Sequence, residues 1–120
     1  MSNPILVVED NDDLLLLFKL TLESAGYQVK TASSGREALN CLILTQPRLI
    51  LMDIMMPKVS GLQISRTIKE QPDYQSLPII LVSAIDRLKN EQLSKSKAND
   101  IIYKPFDIDC LLSKVAELVS

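Results

Sequence analysis

The sequence places five polar side chains at the ends of short apolar runs, and their types suit phosphoryl transfer. They are Glu9, Asp10, Asp53, Ser83 and Lys104. Three carboxylates held close together repel one another and have raised pKa values unless a cation lies among them. Hard oxygen ligands with room for water favour Mg²⁺ or Mn²⁺, and the lack of histidine and of paired cysteines disfavours zinc. Together these groups offer a nucleophile, charge neutralisation and donors for phosphoryl oxygens.

Asp53 is the best candidate for the nucleophile. It interrupts the apolar stretch LILMDIMMP at residues 49–57. A carboxylate among apolar neighbours is costly to bury unless it is paired, bound to a metal or protonated. We therefore expect this side chain to have a chemical role.

Each of the other residues also has a simpler interpretation when taken alone. Asp10 could be a helix cap or turn former, Lys104 a solvated charge and Ser83 a turn hydroxyl. The side chains of Met55 and Met56 are predicted to pack rather than to bind a metal. The joint placement of the polar residues after neighbouring strands favours the site.

Five segments of the chain have the pattern of β-strands. Continuous apolar runs, typical of parallel strands buried on both faces, occur at residues 5–8, 49–52, 78–82 and 100–103. Residues 27–32 alternate apolar and polar side chains, which predicts an edge strand.

Segments whose apolar residues have helical spacing lie between these strands and after the last one. The predicted helices cover residues 12–25, 35–45, 62–71, 87–97 and 108–119. Asn11 or Asp12 is the expected N-cap of the first, Gly26 its stop and Asp107 the cap of the last. Gly61 is expected to open the third helix. The fourth segment is the weakest, because only Leu88 and Leu93 could face a core.

Strands that alternate with helices predict an α/β fold with a parallel sheet covered on both faces. We expect a flavodoxin-like, doubly wound sheet of five strands in the order 2-1-3-4-5, with five helices. Ligands bind outside the carboxyl ends of the strands in such sheets. The five polar residues should therefore converge on one small patch.

Composition narrows the class of protein further. A chain of 120 residues fits a single domain, residues 1–120. Its 13 basic and 15 acidic residues give a net charge of −2, which argues against a nucleic-acid surface. No apolar run approaches the roughly 18 residues of a membrane span, and no leader pattern is present, so we expect a soluble, cytoplasmic protein. Cys41 and Cys110 are predicted to be reduced core thiols.

Four short motifs resemble the receiver domain of bacterial two-component response regulators. They are Val8-Glu-Asp-Asn11, Met52-Asp-Ile-Met-Met-Pro57 with Gly61, Val82-Ser-Ala84 and Tyr103-Lys-Pro-Phe106. The resemblance covers the whole chain, and the set is more specific than any one of its parts. It implies a signalling switch that catalyses its own phosphorylation and slow dephosphorylation, rather than an enzyme acting on other substrates.

The resemblance also implies roles for the residues that match. Asp53 would accept a phosphoryl group from a phosphohistidine on a sensor histidine kinase or phosphotransfer protein. Lys104 would pair with that group, and Ser83 would move toward it on activation. The bond between Lys104 and Pro105 would be cis. A phosphorylation-dependent homodimer is compatible with this family, whereas the kinase, pathway and output are not encoded in any motif.

A magnesium site is implied by the same matches. Asp10 and Asp53 would bind Mg²⁺ directly, Glu9 through a water molecule, and Met55 through its backbone carbonyl.

The chain departs from the receiver pattern at two positions. Ile101 stands where receivers usually have an aromatic switch residue, and Lys97 stands where they commonly have glycine. Because Ile101 cannot reproduce an aromatic switch, we expect activation to change the fourth helix and the loop after Ser83. Amide exchange across residues 84–98 of the free and phosphorylated protein would measure this.

Two other classes of function are compared with the switch. A phosphorylation-independent interaction domain would not need the intact acids, Ser83 and Lys104. A nucleotide- or flavin-binding enzyme would need a glycine-rich phosphate loop, and this chain has three glycines and neither common loop motif.

Overall fold

Five parallel strands form one sheet in the order β2-β1-β3-β4-β5, as predicted. The computed structural model describes residues 3–84 and 90–119. The strands are β1 (Ile5–Val8), β2 (Val29–Ala32), β3 (Leu49–Asp53), β4 (Ile79–Ser83) and β5 (Asp100–Tyr103). Every residue of β1, β3 and β4 is buried, whereas β2 alternates between partly buried and exposed positions. The predicted edge strand is therefore confirmed.

Helices cover both faces of this sheet. They are α1 (Asp12–Ser24), α2 (Gly35–Thr45), α3 (Gly61–Lys69), α4 (Asn90–Ser96) and α5 (Ile108–Val119), with a 3₁₀ turn at Pro72–Tyr74. Asn11 is the N-cap of α1, since its side chain accepts a hydrogen bond from Leu14 N at 3.0 Å. Gly26 follows α1 with φ of +97°. α3 ends two residues before the predicted limit, at Lys69, and the predicted residues 87–89 of the fourth helix, including Leu88, lie outside the described residues.

Alternate strand residues enter two hydrophobic clusters, one on each face of the sheet. Leu6, Val8, Ile50 and Met52 belong to the cluster beneath α2 and α3. Their chain neighbours Ile5, Val7, Leu49 and Leu51 belong to the cluster beneath α1 and α5. Each strand is thus held from both sides, and so the positions of the residues at its carboxyl end are well defined.

The two cysteines differ from the prediction of two core thiols. Both are free. Cys41 is half-buried and packs against a core cluster, as expected. Cys110 is exposed on α5, so the prediction was wrong there. The apolar stripe of α5 is carried by Leu111 and Val115, which leaves the preceding residue facing solvent.

The described helices are all short. The longest, α1, has 13 residues, whereas a helix that crosses a bilayer needs about 20. None of the helices within residues 3–84 and 90–119 meets the requirements of a membrane span.

The end of α4 lacks the expected glycine and has a strained backbone instead. Lys97 directly follows α4 and adopts φ of +59°, in the left-handed region. That region suits glycine and costs other residues about 1 kcal/mol. The backbone after α4 therefore adopts the left-handed conformation common at helix ends, although the residue there is lysine and not glycine.

We predict that Lys97→Gly raises the free energy of unfolding by about 1 kcal/mol, because glycine relieves the left-handed strain. Lys97→Ala is the matched control, since alanine loses the charge but keeps the strain. Urea unfolding of the three proteins measures the difference. An equal effect of the two substitutions would show that the backbone at this position is not strained.

Candidate functional site

The carboxyl ends of β1 and β3 bring three carboxylates together. One carboxylate oxygen from each of Glu9, Asp10 and Asp53 lies within 4.8 Å of the other two. Glu9 and Asp53 are buried, at 1% and 3% exposure, whereas Asp10 is exposed. The predicted convergence of these acids is therefore present in the fold.

Lys104 enters the same cluster from the end of β5. Its Nζ lies 3.5 Å from Glu9 Oε1 and 3.5 Å from Asp53 Oδ1. The lysine is about one quarter exposed, so it can contact both the buried acids and a ligand from solvent. One ammonium group faces two carboxylates, which leaves the site with an excess of negative charge.

Two buried oxygens of the site have no hydrogen-bond donor. Within the described part of the chain, Glu9 Oε1 and Asp53 Oδ1 are inaccessible and accept no hydrogen bond. The other oxygen of Glu9 accepts one from Asn11 N at 3.1 Å. Buried acceptors without donors are costly, and a hard divalent cation satisfies oxygens of this kind. The donor set therefore fits Mg²⁺ or Mn²⁺.

The environment of Glu9 changes its acidity. Burial raises the pKa of Glu9 to about 7; the neighbouring charge of Asp53 also raises it, and the Asn11 N–H and Lys104 partly offset these effects. A carboxylate with a pKa near neutrality is typical of a site built for chemistry or for an ion. A bound cation would favour the ionised form of this residue.

Ser83 ends β4 at the same edge of the sheet and is fully buried. Its carbonyl accepts a hydrogen bond from Lys104 N at 2.7 Å. It follows Val82, the register partner of Asp53, and itself pairs with Tyr103. The fold thus brings Ser83 next to the strand of Asp53 and the lysine of β5, while its predicted movement stays a prediction.

The two methionines after Asp53 occupy different environments. Met56 packs against a core cluster, as predicted, but the Met55 side chain is 59% exposed, so its predicted packing role was wrong. Met55 and Asp10 help to line an open cavity of about 610 Å³. The proposed role of the Met55 carbonyl is not affected by the side-chain position.

Gly61 is a supporting residue of the site, a role that the sequence analysis missed. Its N–H donates to Ile54 O at 2.9 Å. A Cβ added here would overlap the carbonyl oxygen of Asp53 and lie 3.0 Å from Ile54 Cα. Only glycine allows α3 to begin in direct contact with the backbone of Asp53. The signal in the sequence is a glycine shortly after the acid, at the predicted helix start.

The segment after Lys104 also matches expectation. The peptide bond between Lys104 and Pro105 is cis. Phe106 stacks on Phe18 of α1, with ring centroids 4.9 Å apart.

Ile101 is partly buried against a core cluster, whereas Tyr103 is 40% exposed. Neither residue is an inward-facing aromatic ring.

The chain is similar to known response regulators both in sequence and in structure. A sequence model of the response regulator receiver domain matches residues 5–116. The polar-differentiation response regulator DivK of Brucella ovis is 33% identical over 90% of this chain and 89% of its own length. A structure of the response regulator TrrA from Thermotoga maritima, in complex with Mg²⁺–BeF, has a TM-score of 0.87 and 34% identity, and the match covers 98% of this chain and 99% of that one.

Several relatives are much longer proteins. The CAI-1 autoinducer sensor kinase/phosphatase CqsS of Vibrio cholerae is 39% identical over 96% of this chain, but the match covers only 17% of CqsS. The chain spans 48% of another curated relative and 26% of a third. In these proteins the matching region is one part of a larger molecule.

We predict that the free energy of unfolding of the metal-free protein falls as the pH rises from 5 to 8, because Glu9 has a higher pKa when folded than when unfolded. With values of about 7 and 4.5, the native state keeps a proton that the unfolded state releases, and the resulting stabilisation disappears as pH rises through 7. The effect is at most about 3 kcal/mol. Urea unfolding in EDTA measures it.

Glu9→Gln should remove this pH dependence, since glutamine does not titrate. Glu23→Gln changes an exposed carboxylate on α1 and should keep the wild-type slope. An unchanged slope in Glu9→Gln would mean that another group is responsible.

We also predict that Gly61→Ala destabilises the protein by about 1–3 kcal/mol, because the new methyl group meets backbone that cannot rotate away. Gly35→Ala is the matched control. Its methyl group would meet the end of the flexible Ile64 side chain, so we expect a smaller loss. Thermal unfolding of both variants tests this, and equal losses would contradict the assigned contact.

Proposed function

We propose that this chain, which belongs to the response regulator receiver domain family, is a phosphorylation-controlled switch with Asp53 as its phosphoacceptor. The observation that carries the proposal is the buried Asp53 Oδ1, which accepts no hydrogen bond and lies 3.5 Å from Lys104 Nζ beside two further acids. Asp53 thus combines a carboxylate with a neighbouring ammonium group and two further acids, which together supply a nucleophile and charge neutralisation for phosphoryl transfer.

The reaction transfers a phosphoryl group from a phosphohistidine to Asp53. An oxygen of Asp53 bonds to phosphorus while the phosphorus–nitrogen bond breaks. The imidazole nitrogen keeps the bonding electrons and takes up a proton from water. The product is an acyl phosphate. Because these 120 residues contain no histidine, the donor lies outside them, on a sensor histidine kinase or phosphotransfer protein.

Lys104 contributes charge in this reaction. Its ammonium group already lies near both buried acids, so it can shift toward the incoming phosphoryl oxygens without entering from elsewhere. An ammonium placed where negative charge accumulates lowers the barrier to transfer. Ser83, at the end of β4, is the proposed donor to a phosphoryl oxygen after transfer.

Mg²⁺ is the proposed cofactor, with Mn²⁺ as a substitute. Asp10 and Asp53 would hold the ion through carboxylate oxygens, Glu9 through water, and Met55 through its carbonyl. When bound, the ion neutralises the phosphoryl oxygens and the carboxylates together. The donor set supports this proposal, as does the Mg²⁺–BeF bound to the similar TrrA.

We predict that acetyl phosphate with Mg²⁺ adds the mass of one phosphoryl group to the protein, and that EDTA or Asp53→Asn abolishes the reaction. Beryllofluoride should likewise bind the wild type in the presence of Mg²⁺ and fail to bind Asp53→Asn. Intact-protein mass spectrometry and size-exclusion chromatography report the chemistry and any dimerisation together.

Asp73→Asn is the matched control, because Asp73 is an exposed carboxylate in the 3₁₀ turn that precedes β4. It should react like the wild type. Equal labelling of Asp53→Asn and the wild type would refute Asp53 as the acceptor, and full labelling in EDTA would refute the metal requirement.

A further inference from the structure

We infer that α3 transmits the state of Asp53 to α4, and that Ser65 is the residue that couples the two helices. This inference rests on the proposed phosphorylation of Asp53. The contact would allow the site to influence α4 although residue 101 is isoleucine and cannot act as an aromatic switch.

The first part of the route is the contact between α3 and the phosphoacceptor strand. Gly61, the first residue of α3, donates to Ile54 O and lies against the backbone of Asp53 with no space for a side chain. Close-packed contacts transmit displacement instead of absorbing it. A shift of the backbone at Asp53 must therefore move the first turn of α3.

Ser65 lies one turn further along the same face of α3. It is fully buried, and its hydroxyl donates a hydrogen bond to the carbonyl of Ser96, the last residue of α4, at 2.8 Å. Lys69 continues the stripe and donates to Gln75 O at 3.3 Å. Three residues spaced by four thus contact the backbone of three different segments. Helix spacing places them on one side of α3.

The end of α4 is organised around the residue that Ser65 contacts. Ser96 Oγ donates to Leu93 O at 2.6 Å and accepts from Ala98 N at 3.2 Å. Lys97 then turns the chain with its positive φ. A change at the Ser96 carbonyl therefore affects the whole last turn of α4.

Position 101 of β5 does not offer an aromatic switch. Ile101 is a partly buried aliphatic residue in the same cluster as Leu93, and it has no ring that could change between inward and outward positions. Among the described elements, α4 packs mainly on α3. The buried hydrogen bond from Ser65 to Ser96 is a directional contact between α4 and α3, the helix whose first residue touches the backbone of Asp53.

The experiment compares Ser65→Ala with Thr67→Ala. Both remove a hydroxyl from α3, but Thr67 is exposed. Two quantities are measured in each protein: the rate at which acetyl phosphate and Mg²⁺ label Asp53, and amide exchange of residues 93–98 with and without Mg²⁺ and beryllofluoride. Ser65→Cys, which keeps a weak donor of similar size, is a second variant.

We expect Ser65→Ala to react at the wild-type rate, within about twofold, because the hydroxyl does not touch the acids. Exchange at Lys97 and Ala98 should be about fivefold faster in the free protein, as expected for one lost hydrogen bond. The change in exchange caused by beryllofluoride should fall to less than half of the wild-type change. Thr67→Ala should match the wild type, and Ser65→Cys should be intermediate.

Two outcomes would overturn the inference. A full beryllofluoride response in Ser65→Ala would show that α4 is coupled by another route. Loss of labelling together with the response would make Ser65 a structural support of the site itself. Failure of wild-type protein to react would instead refute the proposed function, while the faster exchange of the free Ser65→Ala protein would still report the contact.

Discussion

The repulsion between two buried carboxylates is the constraint on which the rest of the structure depends. Glu9 and Asp53 would be more stable in solvent, yet strands buried along every residue hold them at the mouth of the sheet. Lys104 offsets part of the repulsion from 3.5 Å. Buried charges with incomplete pairing reduce stability, so their presence is better explained by function. A purely structural or interaction domain would gain stability by replacing them.

Much of the fold and of the site could be predicted because both depend on local patterns. Continuous apolar runs identified β1, β3 and β4 as strands buried on both faces, and the alternation in β2 identified an edge. The run at residues 100–103 identified a strand but not its environment, because β5 is the other edge and is mostly only partly buried. Once the strand order was known, residues that directly follow strands had to meet at one edge of the sheet. That argument placed Asp53 and Lys104 together, although 51 positions separate them in the chain.

Other features could not be predicted because they depend on contacts between distant segments. The close approach of Gly61 to Asp53 results from how α3 docks, and a glycine at a helix start has the same local pattern without such a contact. The exposure of Met55 and of Cys110 is set by which side of a loop or helix meets the core. Ser65 lies in a predicted helix with no local pattern that distinguishes it from an exposed serine, and the position of α4 gives its hydroxyl a partner.

The two outer strands suit a domain that recurs inside larger proteins. β2 and β5 each have four residues, and β5 begins with Asp100, whose carboxylate pairs with Lys114 at 2.9 Å. Short strands with charged side chains resist the addition of a foreign strand. A tether between neighbouring domains creates a high local concentration of exposed backbone. Edges of this kind would keep such a domain a separate folding unit beside its neighbours.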